Sequence, residues 1–415
     1  MVQARYKIFL MLFYIAVCGT VVCSCKKKDN STDPGKQWLM TVNFKDDYIN
    51  PKLKAIVFVS DANGNPLADT MVAGNTNVLL YSEKTATPPF QVTIVKWEPD
   101  MHNFLVTIST YQNVTPSEWT LQGRRLVSTG EATINLQNVP NHSGPILYSN
   151  SGYSNLTFAT AGNKHPIYQL PDDLYIKLSS PSGSLYKWTN GIIPGETYDV
   201  DLSDMKTAEP HTITFPVATQ DFHVKVYGYR DTSYLSLPIA ADELIGNGDK
   251  VDNVTVSVPP ATFSRFRTYI ELIESWASPL TYTCSQNDAI PDSFIKLNAA
   301  INNINIQGSK TDFNSVGDFT VTSAVWYFHD TENLAFEWTV FGPDTLTTIS
   351  LPILPPAMKS MFPTLALDSL TFYQFEIINY PKFDSYNAYL ENIFNPATSG
   401  LADRLNSSSI RVMAP

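Results

Sequence analysis

LKAIVFVSDANGNPL, Leu53 to Leu67, sets a β-branched and aromatic run against a short polar turn. Ile56, Val57, Phe58 and Val59 have side chains that suit a pleated, half-buried surface. The run has strand length rather than helix length, and it stops at Asp61-Ala-Asn-Gly64. Asn63-Gly64 supplies the positive-φ conformers of a tight hairpin, and the chain returns through Pro66-Leu67. This predicts strand, turn, strand.

The same grammar extends outward. Trp38–Phe44, Asn77–Tyr81, Phe90–Trp97, Asn103–Ile108 and Ala132–Leu136 are rich in Val, Ile, Thr and aromatics, with Gly, Asn and Pro between them. So many short strands in roughly a hundred residues predict a sandwich, since one face of each strand needs a facing sheet. Leu174–Leu178, Leu185, Thr197–Leu202, His211–Phe215 and Phe222–Tyr227 repeat the order, and each unit runs out at a Val-Pro step, Val139-Pro140 and Val258-Pro259. The stretch Pro140 to Pro171, rich in Gly, Asn, Ser and Pro, reads as the joint.

From Ala261 the chain is mixed. Asp292 is a candidate cap for a helix carrying Phe294, Leu297, Ile301 and Ile304 on one face. Tyr386, Tyr389, Leu390 and Ile393 predict another. Strand-like runs lie between them, while Arg265 to Ser275 fits both periods. The expected fold class is mainly β: tandem Ig-like or transthyretin-like β-sandwiches, then a β-dominated domain with a few short helices. The expected boundaries are 37–145, 146–260 and 261–415, preceded by a signal peptide at 1–24 and a flexible tether at 25–36.

Composition narrows the function classes. In 415 residues, 43% hydrophobic and 12% aromatic content is enough to fill several cores. The formal charge is −11, and more negative still once Arg5 and Lys7 are removed, which disfavours nucleic acid as a partner. Cys18, Cys23 and Cys25 crowd the N-terminus and only Cys284 lies in the body, so the body has no internal disulfide. Cys284 reads as a buried small apolar residue.

Arg5 and Lys7 precede an apolar run, Ile8 to Val22, too short to span a membrane and shaped like a secretory signal. Its end, Val22-Cys23-Ser24-Cys25, resembles the lipobox of bacterial lipoproteins. The resemblance implies cleavage before Cys25 and lipidation of its thiol. Two or more acyl chains hold a protein stably at a membrane. Lys26-Lys-Lys-Asp29 is similar to the start of many mature outer-membrane lipoproteins. The implied location is the outer membrane, with the outward face favoured over the periplasm.

Val57 to Leu67 also resembles the opening of carboxypeptidase-regulatory-like (transthyretin-like) domains through Gly64-Asn-Pro-Leu67, although Asp69-Thr70 replaces the family's Gly-Ala pair. In that family the module is structural or interactive and carries no catalytic residues.

Chemistry-bearing motifs are sparse. The chain has no Gly-x-Ser-x-Gly elbow, His-Glu-x-x-His helix or Gly-rich phosphate loop. The six histidines show no ligand spacing, and His211 and His223 read as surface or hydrogen-bonded strand residues. Asp61-Ala-Asn-Gly-Asn65 lacks the glycine position and terminal glutamate of a calcium loop, and Asp249 and Asp252 read as a solvated loop. No catalytic residue, metal or cofactor is assigned. Trp97, Trp188, Trp326 and Trp338 read as core, whereas Trp119, within Thr115-Pro-Ser-Glu-Trp-Thr120, is the candidate exposed ligand platform.

The expected function is a lipid-anchored surface module for binding, adhesion or scaffolding, with extracellular protein as partner. The alternatives are a glycan-binding accessory protein of a polysaccharide-capture system and a hydrolase with a dispersed site after residue 261.

Overall fold

The computed structural model describes residues 35–45, 48, 53–98, 105–122, 127–231, 237–273, 280–329, 334–395, 397 and 405–414. The signal peptide, Cys25 and nearly all of the tether lie outside the described residues. The strands begin with β1 (Gln37–Lys45), β2 (Lys54–Ser60), β3 (Pro66–Val72), β4 (Thr76–Ser82), β5 (Phe90–Trp97), β6 (Leu105–Val114) and β7 (Ser117–Gln122). Next come β8 (Gly130–Gln137), β9 (Ser143–Asn150), β10 (Tyr153–Thr157), β11 (Asn163–Ile167), β12 (Asp172–Ser180), β13 (Gly183–Ile192), β14 (Thr197–Asp201) and β15 (Lys206–Thr207). They are followed by β16 (Glu209–Tyr229), β17 (Ile239–Val258), β18 (Arg265–Ile273), β19 (Leu280–Asp288), β20 (Ala299–Gln307) and β21 (Lys310–Gly317). The chain closes with β22 (Val321–His329), β23 (Ala335–Pro343), β24 (Thr348–Ser350), helix α1 (Pro356–Met361), β25 (Thr371–Asn379), helix α2 (Tyr386–Ile393) and β26 (Ser407–Met413).

The fold is mainly β, 64% strand and 5% helical, as the β-branched composition predicts. The opening hairpin forms at the expected place, although of Asn63 and Gly64 only the glycine takes a positive φ. Asp61 accepts hydrogen bonds from the backbone N–H groups of Asn63 and Asn65, both at 2.9 Å, and Gly64 takes φ +83°. A Cβ at Gly64 would sit 3.0 Å from the Cα of Pro352, so the glycine also lets the turn lie against the later segment.

The strands form three packed layers. A twelve-stranded sheet runs β17-β16-β18-β19-β26-β25-β22-β23-β6-β5-β2-β3. At one end, β4-β1-β7 and α2 cover it around Phe44, Val57, Val92, Trp119 and Tyr389. Elsewhere its other side packs under β20-β21-β24 and α1 around Trp326, Trp338, Phe375 and Met358. Sheets β10-β9-β12-β13-β15 and β11-β8-β14 form a sandwich filled by Ile134, Tyr148, Leu174, Ile176 and Val200.

The ladders cross the boundaries expected at 145/146 and 260/261. β8 pairs with β11 and β14, and β16 pairs with β18. β6 runs parallel to β23, with Trp338 Nε1 donating to Thr110 Oγ1 at 2.9 Å. Neighbouring strands pair most often, but the entropic cost of closing a longer loop grows only slowly with its length, so a distant strand can still fill an open edge.

Three local expectations are corrected. The stretch from Pro140 to Pro171 is no bare joint, because it folds into β9, β10 and β11 and buries Ile146, Tyr148 and Ile167. Gly246 to Asn253 continues β17 rather than looping, held by pairing to β16. No helix follows Asp292: Thr214 N–H donates to its carbonyl at 3.0 Å, and Ile301 and Ile304 lie on β20. A bulge between Ile301 and Asn303 brings Ile301 and Ile304 to one face, so a strand imitates the helical spacing of three. The ambiguous run from Arg265 is strand β18. Helix α2 forms where expected, with Tyr386, Tyr389, Leu390 and Ile393 buried and the Ser385 side chain accepting from Ala388 N–H.

Candidate binding face

Trp119, expected at the surface, is 4% exposed. It stacks on Phe394 at 3.9 Å and 14°, and meets Tyr111 edge-on at 5.4 Å. The polar neighbours that suggested exposure sit on a strand, where successive residues face opposite ways. Glu118 points out and accepts from Asn43 Nδ2 at 2.7 Å, while Trp119 turns inward. A concavity of about 340 Å³ adjoins it, lined by Ser117, Asn387 and Glu391 among others, but the indole face is already stacked. Trp97, Trp326 and Trp338 are core, as read.

A different surface emerges from the alternation of the large sheet. On β16, β18, β19, β26 and β25 the residues Val224, Ile270, Cys284, Ile410 and Phe375 face the core. Their neighbours face the other way. His223, Lys225, Tyr269, Glu271, Arg411 and Glu376 therefore share one polar face across five paired strands. His223 Nε2 lies 2.9 Å from Glu243 Oε1, and Lys225 Nζ lies 3.1 Å from its Oε2. The hydrogen bond from His223, helped by the Lys225 ammonium, holds the Glu243 carboxyl below the usual range against the opposing effect of burial. Tyr269 Oη donates to Glu271 at 2.7 Å, and Arg411 bridges Glu271 and Glu376 at 3.7 and 3.6 Å. Burial pushes the Glu376 carboxyl up despite Arg411, and Ser409 Oγ donates to it. These carboxylates are engaged in a cross-strand network, which suits them to hold the face in shape.

The same face ends in an open concavity of about 550 Å³ lined by Val325, Tyr327, His329, Glu337, Tyr373 and Gln374. A bulge makes it. Val325 pairs with Gln374 and Trp326 with Phe372, leaving Tyr373 unpaired. Phe372 and Phe375 are both buried in the core, so the two residues between them must both face out. Without the bulge only one of them would. Tyr373 is 45% exposed and meets Tyr327 edge-on at 5.4 Å. Tyr327 stacks along His329 at 5.9 Å and 21°, and its Oη donates to Glu337 at 2.8 Å. That hydrogen bond, with lesser help from burial, pushes the Tyr327 phenol up to about 12. The side chains of Gln374 and His329 make no hydrogen bond to another described residue. Reasoning from sequence missed this site. Its trace is the spacing Phe372-x-x-Phe375 inside a strand, an interrupted alternation.

His223 is hydrogen-bonded to Glu243, as read, whereas His211 Nε2 approaches Asp292 at 3.3 Å without making a hydrogen bond. Cys284 is buried and its thiol is pushed up by desolvation. No group of three or more His, Cys, Asp or Glu side chains is arranged to hold a metal among the described residues.

No family model and no curated relative matches the chain. Among solved structures it is similar to a candidate adhesin from Bacteroides ovatus, at 11% identity and TM-score 0.13, covering 60% of this chain and 82% of that one. It is also similar to the TIE protein of Bacillus anthracis, at 8% identity and TM-score 0.14, covering 79% of this chain and 63% of that one. Likenesses this low carry no functional assignment.

Proposed function

We propose that this chain is a cell-envelope binding or adhesion module, held at the outer membrane by lipid on Cys25 and facing outward. The observation that supports it is the outward sheet face at β22, β23 and β25, where Tyr373 stands exposed beside Tyr327, His329, Glu337 and Gln374 while the reverse side is packed. Exposed aromatic and hydrogen-bonding groups gathered on a rigid sheet are the usual make-up of a recognition surface. The lipobox supports the anchor, since two or more acyl chains hold a protein stably at a membrane.

Two measurements test this. Labelled palmitate is expected to enter the wild-type chain and not Cys25→Ser, which leaves the membrane fraction. Cells carrying the wild-type chain are expected to attach to surfaces coated with fibronectin, collagen or mucin more than cells without it. Equal attachment by both, on every coating, would remove the reading.

A second reading, a glycan-capture accessory protein, draws on the Tyr327–Tyr373 pair, because exposed tyrosine rings are poor fillers but good partners for flat ligands.

A further inference from the structure

We infer that the concavity at the β25 bulge is a carbohydrate site, with Tyr373 and Tyr327 as its aromatic walls and Glu337, Gln374 and His329 as its hydroxyl-reading groups. The inference rests on the binding-module reading and supplies it with a ligand class and a place.

Three observations carry it. First, the bulge has a geometric consequence for the open face. It sets Tyr373 and Gln374 side by side on the open face while Phe372 and Phe375 keep the core filled. Bulges that re-aim side chains concentrate beside functional sites.

Second, the lining combines two chemistries that a sugar ring also combines. A pyranose offers apolar C–H faces and a rim of hydroxyls. The phenol rings of Tyr327 and Tyr373 meet the first. The Glu337 carboxylate accepts from hydroxyls, the Gln374 amide both donates and accepts, and the His329 ring adds a further polar group. Glu337 also holds the Tyr327 hydroxyl, which fixes that ring before a ligand arrives.

Third, the dimensions fit a small part of a polymer. The concavity is about 550 Å³, within the roughly 300–1,000 Å³ of small-ligand sites, and it opens along a flat sheet instead of closing into a cage. An apolar peptide would find too little greasy surface here, with a carboxylate among the lining residues. A nucleic acid would meet Glu337 and a chain of net charge −11.

The test uses the full chain in detergent, run in native gels containing soluble starch, xylan, galactomannan, mixed-linkage β-glucan or mucin O-glycans. At least one polymer is expected to retard the wild-type protein. Tyr373→Ala and Gln374→Ala are each expected to weaken that retardation about tenfold or more. Trp119→Phe, away from the concavity, is expected to leave it within about twofold. Tyr373 is largely exposed, so its alanine variant should fold; if its circular dichroism departs from wild type, Gln374→Ala decides alone. No retardation by any polymer overturns the inference, and so does retardation that both variants leave unchanged. If the gels fail while cells still attach to protein coats, the carbohydrate site falls and the binding module stands. If attachment fails as well, both fall.

Discussion

Lys177 Nζ and Asp242 meet as an ion pair sealed between β12 and β17, with neither side chain more than 6% exposed. Asp242 also accepts from the N–H groups of Ser257 at 2.6 Å and Glu243 at 2.8 Å. Nearby, Tyr175 Oη donates to Ala241 O at 3.1 Å, and Ala240 N–H donates to Ser149 Oγ at 2.8 Å. The pair thus fastens the β8–β15 sandwich to the long β16–β17 hairpin. Burial pulls the Lys177 ammonium below its ordinary value, against the pull of Asp242.

Breaking such a pair from one side strands a buried charge. Lys177→Met is expected to cost about 3–5 kcal/mol in urea unfolding. Adding Asp242→Asn should recover part of the loss, since the amide oxygen can still accept a backbone hydrogen bond and no charge remains. A double variant as unstable as the single one would show that the charge is not the cause.

Acid should weaken the sandwich through His165. The ring is fully buried, its centroid 5.2 Å from Tyr148 and 5.5 Å from Tyr153, and neither nitrogen has a hydrogen-bond partner among the described residues. Burial lowers its pKa from 6.5 to about 4. The folded chain therefore binds fewer protons than the unfolded chain between those values. Stability is full above pH 6.5 and falls as pH drops toward 4, by about 3 kcal/mol in all. Urea midpoints between pH 7.5 and 4 should fall less steeply in His165→Phe than in wild type. Parallel curves would assign the acid sensitivity elsewhere.

Trp119 is expected to matter for stability and not for ligand. Trp119→Ala removes a stack on Phe394 and an edge contact with Tyr111, and should cost about 3–5 kcal/mol. Trp119→Phe should cost less, because a ring can still lie against Phe394. A Trp119→Ala protein with an unchanged thermal midpoint would contradict the packing described.

Gly317, at the end of β21, is expected to resist substitution. Its φ is +107°, and a Cβ there would stand 2.3 Å from Asn298 O. Gly317→Ala adds backbone strain to a collision with main chain, so a loss of at least about 2 kcal/mol is expected in thermal unfolding. Gly183→Ala shares the positive φ but meets no atom within 4 Å, which makes it the control for strain alone.

Strand identity was readable along most of the chain. Phe90–Trp97 matches β5 residue for residue, and Asn63-Gly64 makes its hairpin. The helix at Tyr386 to Ile393 was readable for the same reason: side-chain shape and short-range spacing act within one element. The Ile301–Ile304 spacing misled because a bulge resets the strand's alternation, and a bulge is imposed by the partner strand rather than by the residues inside it. The binding face was hidden for that reason too, since Tyr373 and Gln374 share a side only once β22 pairs across them.

Trp119 and the β6–β23 joint mark the same division. Polar neighbours said nothing about Phe394, and nothing near Thr110 announces Trp338 beside it. Local conformational preference belongs to a few adjacent residues, so it is written in order along the chain. Burial is a property of the whole fold, and the choice of which strands meet follows from total apolar area removed from water, to which residues hundreds of positions apart contribute equally.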